Sequence, residues 1–248
     1  MGGLTRLGLM LATSVAGWGI GAAIAAPHAA ACPISPGTNT CAPDSLTVSP
    51  SATWVSGTSG TISTCPGTPC FTADWIENVY RENGNTAVCN FSGCLTWVVQ
   101  ISARQVQQSA DIIQRITVGN FKGFHTDIGV ETNTPPPGNP PFTGTGTNLP
   151  NNVERDSTGS VLAWDFNAGP NDIGPGMGST LLEIETDAKI VIPGTISIQN
   201  ATAGSQPALG PALPDAMWVP ALGAIGGAAA GAVALRRRKK ARRAVAGE

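Results

Sequence analysis

Histidine is almost missing from this 248-residue chain; the two are His28 and His125. Charge is scarce as well, with Asp, Glu, Lys and Arg making up 12% of the residues. Of fourteen Lys and Arg, one is Arg6, seven lie between positions 236 and 243, and only six lie within residues 32–216. The same stretch carries fifteen of the sixteen acids, so six bases against fifteen acids leave it at −9. An acidic body excludes nucleic acid as a partner, since phosphates require a basic footprint. No Gly-x-Ser-x-Gly elbow occurs, and Gly174, Gly176 and Gly178 are not followed by the Lys-Ser/Thr of a phosphate loop. With His28 inside the export signal described next, His125 is the one histidine of the mature chain, and no local motif matches it to a nucleophile.

Both ends are built for export and retention. Arg6 opens a short positive region, residues 7–25 are uncharged and mostly apolar, and Ala23-Ile24-Ala25 or Ala29-Ala30-Ala31 supply a small-residue cleavage site. Residues 1–31 therefore read as a signal peptide. Residues 217–235 carry no charge and, as a helix, would span about 28 Å, close to a hydrocarbon core. Arg236, Arg237, Arg238, Lys239, Lys240, Arg242 and Arg243 follow at once in the 236–248 tail. Positive charge stays cytoplasmic, so everything before the span is expected outside. Gly223, Gly227 and Gly231 form a small-residue stripe that would let two such helices pack closely.

The six cysteines, Cys32, Cys41, Cys65, Cys70, Cys89 and Cys94, all lie between these ends. An even set in an exported chain predicts disulfides. Six cysteines allow fifteen pairings, of which nearest-neighbour pairing is favoured. Cys65-Pro-Gly-Thr-Pro-Cys70 and Cys89-Asn-Phe-Ser-Gly-Cys94 each hold turn residues that bring the flanking Cβ atoms together. Zinc prefers shorter spacings with His partners, so no metal or other cofactor is expected here.

Residues 32–69 form a Pro/Gly/Ser/Thr-rich extension with one strand-like run at 53–56. Strands are predicted at 71–80, 95–101, 124–132, 161–166, 181–186 and 189–199, with 111–118 either strand or short helix. Residues 133–152 are too rich in Pro, Gly and Asn to carry a core element. Short strands with frequent turns predict an all-β fold over 70–200, an antiparallel β-sandwich of Ig-like or jelly-roll-like kind, with terminal signal and transmembrane helices. Residues 201–216 read as a linker.

Asn78-Val79-Tyr80-Arg81-Glu82 with residues 93–102, the Phe121–Gly129 run, and Gly174-Pro175-Gly176 before residues 179–186 resemble framework strands of PEP-CTERM-type exported β domains. The C-terminus is similar to the sorting tails of that family in an atypical form, with Val219-Pro220 before the apolar run and an Arg-rich end but no Pro-Glu-Pro. Leu213-Pro214-Asp215-Ala216 also resembles the start of a sortase motif. The resemblance implies a surface-attached bacterial protein, handled by a sorting protease, of a family often linked to extracellular polysaccharide and mostly without assigned activity.

Few side chains suggest chemistry. Glu183, Glu185 and Asp187 alternate and so share one strand face, with Leu182 and Ile184 inward; a solvated outer face is the expected setting. The alternative is calcium, joined by Asp127 or Asp165. Trp75, Trp97 and Trp164 belong in the core, the alternative being sugar stacking. The expectation is a non-catalytic structural or interaction role. The rivals are a carbohydrate- or calcium-dependent binding module and a hydrolase working through paired carboxylates such as Asp127 and Asp165.

Overall fold

The structure, a computed structural model, describes residues 34–38, 41–65, 70–104, 112–143, 146–166 and 171–213. The signal segment, the apolar span with Gly223, Gly227 and Gly231, the basic tail and Cys32 lie outside the described residues. Among the described residues no helix is long and apolar enough to cross a membrane.

The described residues form eleven strands: β1 (Asp44–Leu46), β2 (Thr53–Ser63), β3 (Thr72–Arg81), β4 (Leu95–Ala103), β5 (Arg115–Val118), β6 (Thr126–Glu131), β7 (Asn152–Arg155), β8 (Leu162–Asp165), β9 (Leu182–Thr186), β10 (Ile190–Gln199) and β11 (Ala203–Ala212). They form two sheets, ordered β1-β6-β9-β4-β3-β2 and β11-β10-β5-β8-β7. All pairings between these strands are antiparallel except β1 with β6, which is parallel. The all-β prediction holds, with this one parallel edge as the exception.

Alternation decides which side of each strand turns inward. Leu95, Trp97, Val99 and Ile101 of β4 face Leu182 and Ile184 of β9, Ile128 of β6, Ile116 of β5, Trp164 of β8 and Ile196 of β10 in one core. Trp97 meets Phe121 edge to face, centroids 5.6 Å apart. Trp164 crosses between the sheets, its indole N–H donating to the Gly129 carbonyl on β6 at 3.0 Å. All three predicted core tryptophans are buried, which removes them as sugar platforms.

One cation sits inside. Arg155, 3% exposed, donates to the carbonyls of Ile34, Phe121, Phe124 and Gly159 and to the Thr126 hydroxyl. It thus ties together the start of the described chain, the turn before β6 and the β7–β8 hairpin. Strand β7 lies in the region expected to begin only at 161; its four residues are too few for periodicity to stand out.

Two domain boundaries move. The extension supplies β1 and β2, both members of the larger sheet. The expected linker contains β11, which pairs with β10 along its whole length. Its sequence, Ala-Gly-Ser-Gln-Pro-Ala-Leu-Gly-Pro-Ala, lacks the bulky apolar alternation that marks a strand. Small residues are required there instead. A Cβ at Gly204 would stand 2.4 Å from Ile62 Cγ2, and one at Gly194 of β10 would stand 2.6 Å from the Leu209 carbonyl oxygen. Pro207 and Pro211 are tolerated because β11 is the edge of its sheet. Leu209 reaches the other sheet, its N–H donating to Glu77 Oε2 at 2.7 Å.

Glu77 is therefore an inward carboxyl, facing the core beside Trp75 and Val79. Burial pushes its pKa up to about 8, and the Leu209 N–H offsets this only in part. Because the folded pKa is raised, the stability tied to the neutral form is complete below the ordinary value of 4.5 and is lost as pH rises through about 8. Glu77→Gln keeps an acceptor for Leu209 and should flatten this slope, leaving the variant more stable than wild type at about pH 9 by on the order of 2–4 kcal/mol in urea melts. Gly204→Val should cost about 1–3 kcal/mol through overpacking against Ile62. Truncation before Ala203 should abolish the cooperative melt, while truncation after Leu213 should leave it intact; a linker at these positions would make the substitution and both deletions silent.

Candidate functional site

Strands β6 and β9 set their outward residues against one another. Asp127 lies directly opposite Glu185, and Glu183 lies opposite Gly129. Glu131 is the next outward residue of β6, and Asp44 of β1 shares this face beside Gly129. Like charges facing across a strand pair are destabilising even in water. Here water is largely excluded: Asp127 and Glu183 are 0% exposed, Glu82 3%, Glu185 6% and Glu131 8%.

The predicted side was right, with Leu182 and Ile184 inward and the glutamates outward, but the solvated face is overturned. Three loops cover it. A small second core, Val48, Ala52, Tyr80 and Val98 with Phe142 and Leu181, seals one end. The carboxylates hold the loops by accepting from backbone amides. Val48 and Asn133 N–H groups donate to Glu131 at 2.8 and 2.7 Å, and the Ala87 N–H donates to Glu185 at 2.9 Å. The Ser49 N–H reaches Glu82 at 3.3 Å. The proline-rich 133–143 loop has few N–H groups and docks through its carbonyls, with Tyr80 donating to Pro136 and Asn78 to Pro140, both at 2.9 Å.

Four carboxylate oxygens of this face have no donor: one each on Asp127 and Glu82 and both on Glu183. Asp127 Oδ1 accepts from the Ile128 N–H at 2.9 Å, whereas Oδ2 has no N–H or hydroxyl donor; its neighbour Asp44 is itself a carboxylate, and the two can bond only when Asp127 carries a proton. Both oxygens of Glu183 lack a donor; its neighbour Glu131 is itself a carboxylate, and the two can bond only when Glu183 carries a proton. Burial first, then the charges of Glu131 and Glu185, hold the Glu183 pKa well above the ordinary carboxylate range. Burial, then Asp44 and Glu185, push Asp127 up to about 7. Burial also raises Glu82 and Glu131. The ion pairs among the described residues, Arg104–Asp74, Arg115–Glu154, Arg115–Asp165 and His125–Asp187, include none of these carboxylates.

Beside Asp127 and Glu185 lies a cavity of about 270 Å³, bounded by Asp44, Ser45, Thr47, Ser49, Glu82 and the 85–87 turn. Among the described residues no Lys, Arg or His lines it. Among the described residues, too, no group of three or more His, Cys, Asp or Glu side chains could hold a metal ion. No family model, curated protein or solved structure matches this chain.

The other sequence candidates lie elsewhere. Asp187, past the end of β9, is bonded to His125, Oδ2 to Nδ1 at 2.7 Å, at the rim of a separate groove with Phe91 and Phe124. Asp165 is on the outward side of β8, bound to Arg115 at 2.7 Å. Asp127 and Asp165 thus sit on the outer faces of different sheets. Packed sheets are about 10 Å apart, so the two carboxylates cannot flank one glycosidic bond, and the hydrolase built on that pair is ruled out. Asp44, Glu82 and Glu131 had no signal in the sequence, because they come to β9 from distant segments.

Turn disulfides close the β2–β3 and β3–β4 connections. Cys65–Cys70 and Cys89–Cys94 are joined as predicted, with Cα separations of 5.0 and 6.4 Å, and Cys41 is disulfide-bonded as well. The second bridge closes the loop that delivers Ala87 to Glu185. In metal-free buffer, Glu185→Gln removes one of the charges raising Asp127 and should lower its midpoint from about 7, read by carboxyl-carbon NMR titration. An unchanged midpoint would mean that burial and Asp44 set it without Glu185.

Proposed function

We propose that this chain is an exported β-sandwich of Ig-like or jelly-roll-like kind, held on the outer side of the cytoplasmic membrane by residues 217–235 as a helix. Its role there is non-catalytic, structural or adhesive, with extracellular matrix polysaccharide as the partner class. The observation that carries the reading is the set of disulfides within the sandwich, with no free cysteine among the described residues. Such bridges persist in oxidising compartments and agree with the export signal and basic tail. The PEP-CTERM-like tail supports processing or retention by a sorting protease.

A polysaccharide partner draws support from the groove beside His125, about 820 Å³, where Phe91 is 51% exposed and Phe124 lines the wall. Lys189 Nζ lies over the Phe91 ring, 4.3 Å from its centroid, so a sugar ring would stack on the other face. Deleting residues 217–248 should release folded, disulfide-bonded protein from the envelope fraction, with an unchanged circular dichroism spectrum. Phe91→Ala should then reduce retention of the released protein on matrix polysaccharide several-fold. Persistence of the truncated chain in the membrane fraction would refute the C-terminal anchor, and equal retention of the variant would refute the groove.

A further inference from the structure

We propose that the free edge of β2 is the surface on which two copies of this chain pair, β2 against β2 in antiparallel register, so that the larger sheet runs through both. A sheet edge exposes backbone groups that another strand can pair with, and folds blunt it with proline, charge, shortness or a cover. Among the described residues three of the four edges are blunted. Strand β11 carries Pro207 and Pro211. Strand β1 is three residues long and begins with Asp44. Strand β7 has four residues, including Glu154 and Arg155, and Cys41 bridges to Val153 on its outer side. Strand β2 is different. It is eleven residues long, holds no Pro and no charge, and pairs with β3 alone. Its bulge at Trp54–Ser56 leaves residues 57–63 regular.

Register identifies the free groups. The Thr64 N–H donates to the Phe71 carbonyl at 3.0 Å, and bonded and non-bonded pairs alternate along an antiparallel ladder. Ile62, Gly60 and Thr58 therefore bond to β3, whereas the N–H and C=O groups of Ser63, Thr61 and Ser59 point away from it. Thr72, opposite Ser63, agrees, since its carbonyl accepts from the Arg104 N–H at 2.8 Å, away from β2. Ser59, Thr61 and Ser63 are exposed, and their outward groups bond to no other backbone among the described residues.

Charge selects a second copy as the partner. Residues 32–216 carry −9, so two copies approach best where acids are absent. No charged residue lies between Asp44 and Asp74 in the sequence. The charged groups bonded to Thr61, Asp74 and Arg104, neutralise each other at 2.6 Å. Pairing about Gly60 sets Ser59 opposite Thr61 and Gly57 opposite Ser63, with no like charges opposed. So short a contact buries less than the about 1,200 Å² of interfaces that hold unaided, so it forms where copies are concentrated. For that concentration the inference rests on the anchored reading above.

The test uses full chains in the native envelope, fractionated first so that failure of the anchor is seen separately. Chains carrying Ser59→Cys, produced together with chains carrying Thr61→Cys, should form a disulfide-linked dimer on mild oxidation. Opposite residues of a bonded pair lie about 5.5 Å apart at Cα, within disulfide reach. Ser157→Cys, on the β7–β8 hairpin, should not crosslink. Ser59→Pro removes an outward N–H but no bond to β3, and should lower the dimer fraction several-fold under formaldehyde crosslinking with an unchanged melt. Should that variant fail to fold, Ser59→Lys, which blunts the edge by charge, gives the same reading. A chain found in the soluble fraction would refute the anchor alone, and the disulfide is then read on purified full chain at about millimolar concentration. Linkage between positions 59 and 61 no stronger than from position 157 would overturn the proposal. A dimer that survives both Ser59→Pro and Ser59→Lys would overturn the β2 edge as its contact.

Discussion

The arrangement on which the rest of the larger sheet depends is the opposition of Asp127 and Glu185 across β6 and β9, on a face shut off from water. Charges placed that way repel and lose hydration at once. The fold answers by bringing backbone N–H groups to them, so the loops that cover the face are held by carboxylates as well as by the small apolar core of Val48, Ala52 and Phe142. Removing the acids would relieve repulsion and also release the loops. Stability and the order of these loops are therefore coupled through the same few oxygens.

The two sheets solve the problem of charge differently. On the smaller sheet Arg115 lies between Glu154 and Asp165, and local pairing is complete. Arg155 is buried but surrounded by carbonyl oxygens, which suit a planar guanidinium with its fixed fork of donors. Among the described residues, no Lys, Arg or His lines the cavity on the acidic face of the larger sheet. There burial and neighbouring acids favour the protonated forms of Asp127 and Glu183.

Closure of the sandwich rests on a second arrangement. The β10–β11 hairpin carries its edge strand across to the larger sheet, where Leu209 meets Glu77 and Gly204 meets Ile62. Close approach of backbone to side chain is possible only with residues as small as these. The composition that reads as linker is thus the composition that close packing demands.

The sequence by itself determined the elements whose pattern is local. Leu95, Trp97, Val99 and Ile101 alternate, so β4 and its inward face could be read directly, and so could the inward Leu182 and Ile184 of β9. The Cys65–Cys70 and Cys89–Cys94 bridges were legible because each pair brackets its own turn. Only the tertiary structure decided what covers the outward face. Whether Glu183 meets water depends on Val48, Ala52 and the 133–143 loop, which are far from it in sequence and carry no periodic signal. The same holds for Asp44 and Glu82 joining Asp127, and for β11, whose identity as a strand comes from its partners and not from its own side chains. A strand's period reports which residues share a face, but the environment of that face is set by long-range contacts that no local window contains.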